Sequence, residues 1–221
     1  MSRLKEIQKY LIGKGADGES LKPYNEDPVR LSGEIMEYAH RDQKRENGEA
    51  YANHPTRCLQ NYRDLVGIVP DDLFCIDKDL LYRNGIPFDG VQEVCLLHDV
   101  VEDTDFTIGE IEEIFDECGL GDYFRLYMKT ALTYITHDKT MDYEVYVGKI
   151  CTLDPVASIC KMMDLQDNLY ILSLRSFDEK NYRRAERYLE CMYLLNQKYR
   201  FIENAGLYRK ALAEAPESEE R

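Results

Sequence analysis

Eight consecutive residues, Leu96 to Asp103, place one imidazole and three carboxylates after an apolar run of Val91, Val94, Cys95, Leu96 and Leu97. On a helix, His98 and Glu102 stack on one face, and Asp99 and Asp103 form the neighbouring stack. Burying such groups at the polar end of an apolar helix is costly unless a cation offsets them. A divalent ion does this, because it neutralises Asp99 and takes the lone pair of a neutral His98 nitrogen. A bare His-Asp pair would be read more simply as a solvated acidic turn. Residues elsewhere in the chain favour the metal.

Two of these stand far away in sequence. His54 precedes Pro55, which biases it away from αR and sets it at the mouth of a helix starting at the proline. On the helix expected over 155–174, Lys161, Asp164 and Asn168 form one polar stripe among Val156, Ile159, Met163 and Leu172. A buried polar stripe needs partners; the plainer alternative is a local Lys161–Asp164 helix pair. The candidate ligands are therefore His54, His98, Asp99 and Asp164. Mixed imidazole and carboxylate donors suit Mn, Fe or Zn alike.

The elements that must hold these residues are helical. Segments 3–12, 32–45, 55–65, 122–135, 141–151, 179–200 and 203–214 read as helices, and Pro23 and Pro28 keep the segment before 32 irregular. Thr107 to Glu110 is a capping box, Asp154-Pro155 an N-cap with proline at N1, and Ser176 to Glu179 a second capping box. A short helix through Leu73, Phe74, Leu80 and Leu81 ends at the Gly85–Gly90 breaks. No strand, internal repeat or low-complexity linker is evident, so the expected fold class is all-α, a single bundle of roughly eight to ten helices.

The 221 residues suit one domain with small appendages. A net charge of −14 argues against a general nucleic-acid or acidic-membrane binder, but a few local basic residues and a metal can still dominate a cleft. The seven cysteines, without a C-x-x-C, read as buried thiols in a reducing compartment. The start lacks an apolar signal region and no stretch approaches transmembrane length. A cytoplasmic location is expected.

The order H…HD…D resembles that of the HD phosphohydrolase superfamily. His40-Arg-Asp-Gln43-Lys-Arg45-Glu-Asn-Gly48-Glu-Ala-Tyr51-Ala-Asn-His54-Pro55 is similar to the H-x-x-Q-x-R-x-x-G-x-P-Y-x-x-H-P segment of RelA/SpoT-type alarmone hydrolase domains. Leu97-His98-Asp99-Val-Val-Glu102-Asp103-Thr104 matches their L-H-D-x-x-E-D-T segment, and Leu132-Thr133, Tyr143, Tyr146, Lys161, Asp164 and Asn168 match later landmarks in order. The resemblance spans about 32–195 and implies a small, hydrolase-only HD domain. It would comprise an N-terminal extension (1–31), the domain proper (32–200, with 67–90 as an insertion) and a C-terminal helix with an acidic tail (201–221).

The resemblance also implies one Mn²⁺ on His54, His98, Asp99 and Asp164, with Zn²⁺ or Fe²⁺ as alternatives. Glu102 and Asp103 would be the catalytic acid–base pair. Arg45 would lie against the purine of a nucleotide substrate and Asn168 would bind its sugar or base. The implied reaction is removal of pyrophosphate from the 3′ position of ppGpp. Lys161 is expected to pair with a nearby aspartate, and His40 and His137 to be structural. The sequence departs from the family at Glu46, Ala50, Tyr170 and Ile171. These departures leave room for a phosphohydrolase of another phosphorylated nucleotide, or for a weakly catalytic nucleotide sensor.

Overall fold

A computed structural model describes residues 3–14, 21, 24–67, 76–175 and 178–214. Among them are twelve helices, a little above the expected number. They are α1 (Arg3–Lys14), α2 (Pro28–His40), α3 (Asn53–Val66), α4 (Lys78–Arg83), α5 (Val91–Asp103) and α6 (Ile108–Glu117). The second half of the chain supplies α7 (Gly121–Tyr127), α8 (Lys129–Ile135), α9 (Tyr143–Leu153), α10 (Pro155–Ser173), α11 (Glu179–Tyr199) and α12 (Phe201–Glu214). The described residues contain no strand, only an isolated bridge between Lys44 and Ala50 that closes the loop before α3. Among the described residues no helix is long and apolar enough to cross a membrane.

Helix α5 is the axis of the bundle. Val91, Val94, Cys95, Leu96, Leu97 and Val100 are all buried, and side chains of this size each contribute about 1.5–3 kcal/mol on leaving water. It packs on α2, α3, α8 and α10. Its start is fixed by Gly90, whose φ of +81° is left-handed and whose Cα faces the Tyr127 carbonyl so closely that a Cβ would collide with it. Helix α10 is buried on nearly all sides, from Ala157 to Leu165 and again at Ile171 and Leu172, as expected of a helix apolar around its circumference. α3, α5 and α10 pack against one another pairwise, so the three segments carrying the candidate ligands converge.

The caps explain where expectation and structure part. Pro28 starts α2 instead of keeping the segment irregular, because Asp27 accepts the Arg30 N–H at 2.9 Å and proline suits the first turn. α2 then ends at His40, not Arg45, and the following residues turn back through the Gln43–Tyr51 and Arg45–Glu49 backbone bonds. α3 begins at Asn53, so His54 lies inside its first turn. The 122–135 helix is two, with a break at Met128. The Thr107–Glu110 capping box is present in full. α11 is capped by Asp178, which accepts from Asn181 N–H; Ser176 of the second expected box, and Leu73 and Phe74 of the expected short helix, lie outside the described residues. α12 starts at Phe201 and packs on α3 and α4.

One core charge has a consequence for stability. Glu93 on α5 is 2% exposed, and burial lifts its carboxyl from 4.5 to about 7, against the pull of its own backbone N–H and of the Tyr123 hydroxyl, which donates at 2.9 Å. The folded state thus holds this proton more tightly than the unfolded chain. The stability it confers is complete below pH 4.5 and is lost as pH rises through about 7. Glu93→Gln should therefore raise stability at pH 8 by on the order of 3 kcal/mol and have little effect at pH 4. Thermal melts at both pH values check this; an equal shift at both would refute it.

Candidate metal centre and the adjoining cavity

Where α3, α5 and α10 meet, two histidines turn their Nε2 atoms toward the same carboxylates. His54 Nε2 is 3.1 Å from Asp164 Oδ1 and 3.4 Å from Asp99 Oδ2. His98 Nε2 is 3.2 Å from Asp99 Oδ1 and 3.8 Å from Asp164 Oδ1. The opposite ring nitrogens are tied down: His54 Nδ1 lies 2.6 Å from Asp167 Oδ2, and His98 Nδ1 lies 2.9 Å from the Cys95 carbonyl. Each Nδ1 that donates to its oxygen leaves an Nε2 lone pair facing inward. His98 Nε2 is buried without a hydrogen-bond partner, an arrangement that a cation between imidazole and carboxylates satisfies.

The local field favours positive charge. α5 ends at Asp103 with no basic residue in its last turn, so its negative dipole end adds to three carboxylates. Burial disfavours an imidazolium at His98, but Asp99 and Asp164 outweigh it and raise the ring to about 10. His54 is raised likewise by Asp164 and Asp167 in spite of burial. Against the same burial, His98 and His54 keep Asp99 below its ordinary value. Lys161, Nζ 2.7 Å from Asp164 Oδ2, holds Asp164 well below its own. A field that stabilises two imidazolium ions among carboxylates also stabilises a divalent ion, which displaces those protons. His54, Cys58, His98 and Asp164 each offer an atom within 4.8 Å of the others, a donor set able to hold a divalent ion. Asp99, although outside that foursome, lies closer to both Nε2 atoms than Cys58 Sγ does to His54 Nε2, at 4.0 Å.

All four expected ligands thus come together, and the surroundings show what the sequence reading missed. Asp167 orients His54 and is gripped by Arg57, whose Nε lies 2.5 Å from Oδ1 while its remaining nitrogens pair with Glu49. Tyr51 bridges two carboxylates with one hydroxyl, 2.8 Å from Asp99 Oδ2 and 2.5 Å from Asp103 Oδ2. Cys58, one turn after His54, is fully buried, which pushes its thiol well above the ordinary value. The sequence signal for Asp167 was its place three residues after Asp164 on one helix face; for Cys58 it was the i, i+4 spacing from His54.

Glu102 and Asp103 sit at the rim. Glu102 Oε2 accepts the His137 N–H at 3.1 Å, and burial raises its carboxyl above the ordinary value. Arg45 donates to Asn168 Oδ1 at 2.7 Å and approaches Asp167 at 3.5 Å, while Asn168 donates to Asp164 Oδ1 at 2.6 Å. Lys161 pairs with Asp164 beneath the Tyr143 and Tyr146 rings. His40 stacks on Tyr51, and His137 Nε2 lies 3.1 Å from the Met141 carbonyl; neither ring joins the ligand cluster.

A cavity of about 330 Å³ opens beside Asp103 and Asn168. Lys44, Arg45, Arg175 and Arg184 line it, with Tyr51 and Tyr188 as aromatic walls and Ile171 and Leu172 as an apolar floor. Glu46 also reaches it but is paired with Arg175 at 2.6 Å, and Tyr170 is exposed. Four cationic side chains at one mouth of a chain of net charge −14 create a local attraction for anions.

No family model matches the chain, and no curated protein matches it. A solved structure of a metazoan ortholog of SpoT, which hydrolyses ppGpp and plays a role in starvation responses, does. The TM-score is 0.55 at 18% identity, over 86% of this chain and 97% of that one. The chain shares the all-α fold of that protein.

Proposed function

We propose that this chain is a metal-dependent phosphohydrolase that removes pyrophosphate from the 3′ position of guanosine 3′,5′-bis(diphosphate) or a close relative. The observation that carries this reading is the pair of inward-facing Nε2 atoms, His98 Nε2 unpartnered, beside a cavity lined by four cations. The fold shared with a ppGpp hydrolase supports the choice of nucleotide.

In this reading His54, His98, Asp99 and Asp164 hold one Mn²⁺. The bound ion supplies a Lewis acid for the phosphoryl group and eases deprotonation of water. Asp167 and the Cys95 carbonyl keep the two imidazoles in the tautomer that leaves Nε2 free. Glu102, one turn beyond His98 and shifted toward its protonated form by burial, gives a proton to the leaving oxygen. Asp103, held by Tyr51, orients the attacking water. Arg45 and Asn168 receive the nucleoside, and Arg184 pairs with its phosphates. Glu46 is already neutralised by Arg175, so it adds no uncompensated charge against the substrate.

The test is incubation of Mn²⁺-loaded protein with ppGpp and identification of the products. GDP and pyrophosphate are expected. Absence of cleavage, together with turnover of another nucleotide by the same preparation, would replace ppGpp by that nucleotide. Arg184→Ala should raise KM by roughly tenfold or more with kcat little changed, since a charge-assisted phosphate bond is worth about 1.5–3 kcal/mol. An unchanged KM would remove Arg184 from the phosphate site.

A further inference from the structure

We propose that the cavity at the start of α5 is a second ligand site, and that it takes a small organic carboxylate with an apolar body through Arg63 and Gln92. It lies at the opposite end of α5 from the metal centre and needs neither the ion nor the nucleotide.

The cavity has a volume of about 750 Å³, a size that suits a small molecule, and is bounded by the first turns of α2 and α5, by α3 and by α7. One cation in its wall lacks a counter-ion. Arg63 is half-buried, and burial lowers its guanidinium below the ordinary value against the more distant attraction of Asp27 and Glu93. Its Nε donates to Gln92 Oε1 at 2.9 Å, a neutral partner. Its terminal nitrogens have no hydrogen bond or ion pair among the described residues. Gln92 is 4% exposed; its oxygen is engaged by Arg63, and its Nε2 has no acceptor among the described residues. A guanidinium fork beside an amide N–H is a donor set that grips a carboxylate with parallel bonds. α5 adds its positive end, since Gly90 at the N-cap offers no side-chain acceptor.

The other charges narrow the ligand class. Asp89 is held by Lys78 at 2.8 Å and by the Tyr82 hydroxyl at 2.6 Å, and Asp27 accepts the Arg30 N–H. Glu93, protonated below about pH 7, receives the Tyr123 hydroxyl and adds no charge there. Arg30, Arg63 and Lys78 then balance Glu26, Asp27 and Asp89 around the cavity. One negative charge finds its partner in Arg63, whereas a phosphate dianion would also meet Asp27 and Asp89. Val29, Phe88 and Leu120 supply an apolar wall, which matches a hydrocarbon body better than a sugar.

The test is calorimetric titration of the full-length protein, without added metal, with isocaproate at pH 6, where Glu93 is protonated. Wild type should bind one equivalent saturably. Isocaproamide, of the same shape without the charge, should bind roughly tenfold or more weakly, and Arg63→Met should lose isocaproate affinity to the same extent. Circular dichroism shows whether Arg63→Met is folded. If it is not, Arg63→Lys, which keeps the charge and loses the fork, should still bind isocaproate several-fold more weakly than wild type. No saturable binding by wild type overturns the site. Equal affinity for acid and amide, or isocaproate affinity unchanged in the folded arginine variant, overturns the role of Arg63. Either result leaves the metal centre standing.

Discussion

His98→Ala and Asp99→Ala should each give folded protein that no longer retains one equivalent of Mn²⁺ or Zn²⁺ per chain. Asp99 lies within 3.4 Å of both inward-facing nitrogens, and His98 supplies one of them. Removing either leaves carboxylates crowded at the end of α5 with one less partner for a cation. Turnover should fall by on the order of 10³-fold or more, since Lewis-acid stabilisation is worth several kcal/mol. Asp164→Asn is the milder companion, because it keeps the volume and the contact from Asn168. Metal analysis of purified, folded variants checks the expectation. One tight ion retained in both alanine variants would show that the centre is not where these residues meet.

Glu102→Gln combined with Asp103→Asn should behave differently: the ion stays and the chemistry goes. Neither carboxylate belongs to the ligand cluster, and both lie at its rim, Glu102 on the His137 N–H and Asp103 on Tyr51. Amides preserve these contacts in shape but cannot exchange the proton. A loss of 10²-fold or more in kcat is expected with unchanged metal content, as the usual worth of a positioned acid or base. Wild-type turnover in the double variant would assign proton transfer to other groups.

The parts of this protein legible in its sequence are those written within a few residues of one another. The Thr107–Glu110 capping box, the Asp154-Pro155 start of α10 and the apolar face leading into His98 are local signals, and the structure shows all three. His54 and Asp164 stand out in the sequence because their immediate neighbours, Pro55 and the Lys161–Asn168 stripe, are distinctive. Asp27-Pro28 carries the same cap-and-proline signal as Asp154-Pro155, and α2 starts there although two nearby prolines suggest an irregular segment. What was not legible depends on distance along the chain. The Asp167 bond to Arg57 joins residues 110 positions apart, and nothing around Arg57 marks it as a second arm behind His54.

Under the proposed function, the Arg45–Asn168–Asp164 chain links the ion to the nucleotide. Asn168 offers its amide nitrogen to a carboxylate oxygen that also faces both imidazoles, while its amide oxygen is held by the arginine that lines the cationic cavity. A nucleotide that draws the Arg45 guanidinium away loosens Asn168 and alters the donor strength of Asp164. Whatever factor the nucleotide then imposes on ion affinity, the ion must impose on nucleotide affinity, because the two routes to the ternary complex close a thermodynamic cycle. In the proposed hydrolase, ion and nucleotide would thus be heterotropic effectors of one another through a single side-chain amide.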